Sequence, residues 1–196
     1  MAKIISILFL AASLFTACND NNKTAKENSA NTDTIAASTT STNSNTQNNS
    51  GAIDNVVTGY LNLKDALAND NGNEAAVAAK EMGAALAKVD ESGLTPEQKK
   101  VYADVKDDMK EHAEHIGTNA SNIKHQREHF DILSQDMIDL VKATGSPKTL
   151  YEQFCPMYNN KKGASWLSQT KDIKNPYYGK EMPDCGEVKE EIKAKG

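Results

Sequence analysis

The sequence predicts an all-α fold, a four-helix bundle closed by an irregular, aromatic-rich C-terminal cap. Apolar residues recur at three- and four-residue spacing in four consecutive segments between residues 53 and 141, and short connections rich in helix-stop and helix-start residues separate them. The composition, 38% hydrophobic but only 6% aromatic, suits a modest helical core better than a sandwich or barrel.

The chain opens with a lone basic residue, Lys3, an apolar run from Ile4 to Phe15, and the small residues Thr16 and Ala17 before Cys18. That layout predicts a secretory signal peptide over residues 1–17. The apolar run is about a dozen residues, whereas a permanent bilayer-spanning helix needs about 20. Leu14-Phe15-Thr16-Ala17-Cys18 resembles a bacterial lipobox, with Phe15 where leucine is usual. The expectation is therefore lipidation at Cys18 and a membrane-anchored, periplasm-facing lipoprotein of the cell envelope, on the outer membrane. Residues 18–51 are almost all Asn, Thr, Ser, Ala and Lys, a composition that buries too little surface to offset its ordering entropy and predicts a disordered tether.

The folded domain is expected over residues 52–188. Ile53, Val56, Val57, Tyr60, Leu63 and Leu67 make the stripe of a first helix, ending near Asn71-Gly72. A second, from about Asn73 to Val89, is built on Ala75, Ala78, Ala79, Met82, Ala85, Leu86 and Val89, and its alanines permit close helix approach. Thr95-Pro96-Glu97-Gln98 reads as an N-cap, a proline at the first helical position and a suitable first turn. The third helix then carries Val101, Val105, Met109, His112 and Ile116. A break at Gly117 to Asn122 leads to the fourth, with Ile123, Phe130, Leu133, Met137, Leu140 and Val141 on one stripe and a stop at Thr144-Gly145. From Leu150 to Gly186 helical periodicity disappears while Tyr151, Phe154, Tyr158, Trp166, Tyr177 and Tyr178 gather among turn formers, hence the irregular cap. Residues 189–196 read as a polar tail with a short charged helix at most.

A net charge of −5 with scattered Lys and Arg argues against nucleic acid as a partner. No nucleophile elbow, phosphate loop, dinucleotide fingerprint or zinc-protease motif is present, so the reading is non-enzymatic.

Two cysteines beyond Cys18 each sit near a methionine, in Cys155-Pro156-Met157 and Met182-Pro183-Asp184-Cys185. Thiolate and thioether sulfur together form a soft ligand set suited to Cu(I), with Ag(I) and Zn(II) ranked after it. Two cysteines in an envelope protein equally predict a disulfide, worth about 3 to 4 kcal/mol over this loop. Both readings stand on the sequence. Of the four histidines, His112 and His115 close the third helix while His125 and His129, four apart on one face, open the fourth. Antiparallel consecutive helices place both pairs at the same end of the bundle, and His125 and His129 are candidate auxiliary ligands. Gln126 falls on the apolar stripe and is expected to satisfy backbone groups of the cap; Arg127 has Asp131 one turn on, or a partner in the cap, as its counter-charge.

The motifs Tyr60-Leu61-x-Leu63-Lys64-x-Ala66-Leu67, Gln126-Arg127-x-x-Phe130-x-x-Leu133-Ser134, Cys155-Pro156-Met157, Gly163-Ala164-x-Trp166-Leu167-Ser168 and Asn175-Pro176-Tyr177-Tyr178-Gly179-x-x-Met182-x-x-Cys185-Gly186 resemble a domain-of-unknown-function family. That family occurs in envelope lipoproteins and as an extra domain on periplasmic adaptors of RND-type heavy-metal efflux pumps. The resemblance spans about residues 53 to 188, and Cys-Pro-Met is also similar to the triplet of small heavy-metal-binding domains on such adaptors. It implies copper or silver handling in the periplasm, with an efflux adaptor as partner. The leading expectation is a module that holds Cu(I) through Cys155, Met157, Met182 and Cys185. Its rival is a disulfide-stapled, metal-free interaction module.

Overall fold

The computed structural model describes residues 44–195, so the signal peptide, Cys18 and most of the tether lie outside the described residues. Four long helices follow one another: α1 (Ser44–Ala68), α2 (Gly72–Leu86), α3 (Pro96–Thr118) and α4 (Ile123–Thr144). α1 reaches back into the Asn/Thr/Ser stretch. Each helix packs on the next, and α4 also touches α1. Val56, Tyr60, Leu63, Leu67, Ala79, Met82, Met109, Ile116, Phe130, Leu133, Met137 and Leu140 are fully buried between them, as the apolar stripes predict. The approach of α1 to α2 is close enough that a Cβ on Gly59 would lie 2.8 Å from that of Met82. That closeness is what the small residues of α2 permit.

Caps fix the helix starts. Thr95 and Gln98 form a reciprocal capping box at α3, with Pro96 in its first turn. The Asn71 side chain accepts from Glu74 N–H ahead of α2, and Asn122 does the same for His125 N–H ahead of α4. Among the described residues no helix is long and apolar enough to cross a membrane.

The C-terminal region corrects the expectation of an all-α chain with an irregular cap. It is a three-stranded antiparallel sheet, ordered β2-β1-β3, of β1 (Leu150–Cys155), β2 (Ala164–Ser168) and β3 (Glu187–Ile192). β1 lies in the middle, pairing Gln153 with Trp166 on one side and Val188 on the other. Its alternation is obscured by a register irregularity at Glu152/Gln153, which explains why period-two patterning is not visible in Leu-Tyr-Glu-Gln-Phe-Cys. β3 replaces the first half of the expected polar tail. Its Glu-Val-Lys-Glu-Glu-Ile sequence stays mostly exposed, so it is held by pairing to β1 and by its charges, an arrangement that also blunts an edge strand. Lys142 of α4 reaches Glu152 at 2.8 Å and Glu190 at 2.9 Å, tying the end of that helix to two strands.

The sheet seats on the helices through β2. Trp166 and Leu167 are fully buried, and the Leu167 N–H, on the edge of β2 away from β1, donates to the Tyr60 hydroxyl at 3.1 Å. That hydroxyl also hydrogen-bonds Ser134 Oγ at 2.8 Å, joining α1, α4 and β2 in one buried node. Asn175 organises the loop before β3: its side-chain oxygen accepts from Tyr177 and Tyr178 N–H, and its Nδ2 donates to the Cys185 carbonyl at 2.7 Å.

Candidate metal centre

His125 and His129 stand one turn apart at the start of α4, facing the last turns of α3. Antiparallel packing of those two helices brings His112 and His115 alongside them, as the sequence implies. His129 is the hub. Its Nδ1 lies 2.9 Å from His112 Nδ1, its Nε2 lies 3.2 Å from His125 Nε2, and its ring stacks on His115 with centroids 4.3 Å apart and planes 5° from parallel. His115, His125 and His129 each offer a nitrogen, and the three nitrogens lie within 4.8 Å of one another.

Tetrahedral zinc with bonds of about 2.0–2.1 Å needs nitrogens about 3.3 Å apart, so small rotations of partly exposed rings complete the geometry. Burial pulls His129 below the ordinary imidazole range, and its neighbours His115, His125 and His112 add to that. Burial likewise lowers His112, against the opposing pull of Glu111 and Asp108. Both therefore favour the neutral form, which is the one that binds metal. Carboxylates stand behind two of the three: Glu111 is 3.8 Å from His115 Nε2 and Glu128 is 3.6 Å from His125 Nδ1. Such acids orient and strengthen imidazole ligands.

The sulfur atoms assemble elsewhere. Cys155 ends β1, fully buried, and Cys185 comes from the loop before β3, with their Sγ atoms 2.8 Å apart and both cysteines unpaired. Two thiolates on one ion with metal–sulfur bonds of about 2.3 Å would sit about 3.8 Å apart, so this pair is closer than a shared metal allows. The hydrogen bond to Cys155 and then burial push the Cys185 thiol up to about 11, whereas the metal ligand is the thiolate. Met157 is exposed and Met182 half-buried, beside the thiols in sequence. Among the described residues no cysteine shares a donor cluster with a histidine, so His125 and His129 do not complete the sulfur set; they belong with His115 and His112.

Of two neighbouring residues, Gln126 departs from the role the sequence suggests and Arg127 takes the second of its two alternatives. Gln126 is fully buried, but it donates to the Gly72 carbonyl at 2.9 Å and the Ile116 carbonyl at 3.1 Å, tying helix ends together and leaving the cap alone. Arg127 ties the cap instead. Its Nε donates to the Pro176 carbonyl at 2.8 Å, and its Nη2 reaches Asp70 at 2.6 Å and the Leu67 carbonyl at 2.9 Å, so Asp131 is not its counter-ion. Asp70 carries no motif signal in the sequence. It stands at positive φ in the turn after α1, accepts from Lys180 N–H at 3.1 Å as well, and the Arg127 and Lys180 contacts hold its carboxyl below the usual range despite the opposing effect of burial.

Residues 56–149 match the family described as "Protein of unknown function (DUF3347)". This stretch is similar to DUF3347. The matched residues of the DUF3347 segment cover most of α1, all of α2, α3 and α4, and with them the four histidines, Gln126 and Arg127. They stop short of the sheet and of both cap cysteines. No curated protein and no solved structure matches the chain.

Proposed function

We propose that the chain is a non-enzymatic, lipid-anchored module of the bacterial envelope that binds a late first-row metal ion, copper foremost and zinc next, on the imidazoles of His115, His125 and His129. The observation that carries this reading is the convergence of three histidine nitrogens from α3 and α4. Imidazole donors suit copper and zinc, and copper(II) tops the affinity order for such sites. In this reading the four helices act as a four-helix bundle scaffold, the Cys18 lipid supplies the tether point, and copper or silver handling beside a heavy-metal efflux adaptor is the setting.

The cap sulfurs favour a second role, a Cys155–Cys185 disulfide. Their 2.8 Å separation, shorter than two sulfurs sharing one ion would take, supports this over Cu(I) ligation. Titration of the intact chain with Cu(II) and Zn(II) against a chromophoric chelator of micromolar affinity tests the assignment. Wild type and the C155S/C185S double variant are expected to compete, while H125A/H129A loses at least tenfold in affinity. Binding that survives H125A/H129A but fails in C155S/C185S would move the metal to the sulfurs.

A further inference from the structure

A second concavity lies on another face of α4, between that helix and the cap, with a volume of about 780 Å³. Its helical wall carries Glu128 and Asp131; its other wall is built from Tyr158 and Tyr178, with Tyr177 behind them and Glu181 at the rim. Tyr158 stacks on Tyr177 with centroids 4.3 Å apart and meets Tyr178 edge-on at 5.9 Å.

Asp131 is the chemical anomaly of this cleft. The residue spaced to neutralise it, Arg127, turns its Nε and Nη2 to Asp70 and two carbonyls and makes no ion pair with Asp131. Among the described residues its one polar side-chain contact is Asn159 Nδ2 at 3.5 Å, the outer limit of a hydrogen bond, and no cation lies within ion-pair distance. With Arg127 matched by Asp70, the lining has three carboxylates against the single amine of Lys124, which disfavours an anionic ligand. The turn at the cleft mouth is held under strain. Asn159, Asn160 and Lys161 have φ of 50°, 56° and 67°, a left-handed run that Asn tolerates but Lys does not favour. Such strain concentrates at ligand sites.

We propose that this cleft binds a small organic cation, an alkylammonium group, with the Asp131 carboxylate as its counter-ion and the faces of Tyr158 and Tyr178 as its walls. A half-buried, uncompensated carboxylate beside electron-rich ring faces is the pairing that recognises a cation of low hydration. The site shares no ligand with the imidazole cluster, so it stands or falls apart from the metal reading.

The test is a two-dimensional amide NMR titration of the intact chain at neutral pH with butylammonium and, as neutral control, butanol. Saturable shifts confined to residues 127–132, 158–160 and 177–181 are expected with butylammonium and not with butanol. Asp131→Asn should weaken binding at least tenfold, Tyr158→Leu should weaken it severalfold, and Tyr158→Phe, which keeps the ring, should change it less than twofold. Equal binding by Asp131→Asn and wild type overturns the proposal, as do shifts spread evenly over the acidic surface or no saturable response. Should Asp131→Asn misfold, unchanged binding in Tyr158→Leu overturns it by itself.

Discussion

Replacing Tyr60 by Phe removes one oxygen from the node that joins sheet to helices. The ring itself remains, stacked 5.3 Å from Phe130, so apolar packing is conserved and the change isolates hydrogen bonding. Two bonds are lost, to Ser134 Oγ and from Leu167 N–H. Ser134 can turn its hydroxyl toward another acceptor, but the Leu167 N–H faces away from β1 and is buried with no second partner in reach. An orphaned buried donor costs about 1–3 kcal/mol. For a folded region of this size each kcal/mol moves the melting midpoint by about 2–4 °C, so a loss of about 2 kcal/mol predicts a fall of about 4–8 °C. Far-UV circular dichroism gives the midpoint, and amide exchange at Leu167 reports the bond directly, expected to accelerate while α1 and α4 keep their protection. A midpoint within about 1 °C of wild type together with unchanged Leu167 protection would show that β2 does not depend on Tyr60.

Gly179 adopts φ +54°, and a Cβ there would fall 2.1 Å from Asp70 Oδ1 and 2.5 Å from Arg127 Nη2. Gly179→Ala is expected to break the Asp70–Arg127 clamp at a cost of about 1–3 kcal/mol, read from the denaturant midpoint. Asp136 is pushed up to about 6 by burial first and then by Asp108 and Asp139. The folded chain then holds that proton more tightly than the unfolded one, so this group's effect is to lower stability as pH rises from about 4 to about 6. Asp136→Asn should remove that slope and raise stability above pH 6 by about 1 kcal/mol, the shift being discounted for partial exposure, with no gain at pH 4. Oxidation of Cys155 and Cys185 to a disulfide should raise stability by about 3 to 4 kcal/mol, and reductant should reverse it; intact mass with and without reductant identifies the bond, and equal midpoints in both states would refute the staple.

What was legible in the sequence follows from where each signal is stored. The helices announce themselves because their burial repeats every three or four residues within one segment, and Thr95 with Gln98 marks the start of α3 without help from elsewhere. The sheet does not, because β3 is exposed along nearly its whole length and becomes a strand only through β1, whose own alternation is broken at Glu152/Gln153. The histidine grouping could be read, since short connection and antiparallel packing follow from the Gly117 to Asn122 break. The meeting of Cys155 with Cys185 could be anticipated only as one of two chemistries, because spacing says nothing about a separation of 2.8 Å. Gln126 serves helix ends and Arg127 the cap because adjacent helical residues point about 100° apart, and that angle could not be resolved from the apolar stripe alone.

That same angular arithmetic makes α4 the organising element of the fold. His125 and His129 share one azimuth, Gln126 and Phe130 lie about 100° further round, and Arg127 and Asp131 about 100° beyond those. The first pair meets α3, the second is buried in the core, and the third faces the cap and its cleft. Rotation of α4 is fixed at both ends, by Arg127 on the Pro176 carbonyl near its start and by Lys142 on Glu152 and Glu190 near its end. The C-terminal cap, loop and sheet together, therefore sets the azimuth of the helix that presents two of the histidines. Loosening the Asp70–Arg127 clamp, by substitution at Asp70 or Gly179, should consequently disturb the imidazole cluster on the opposite side of α4.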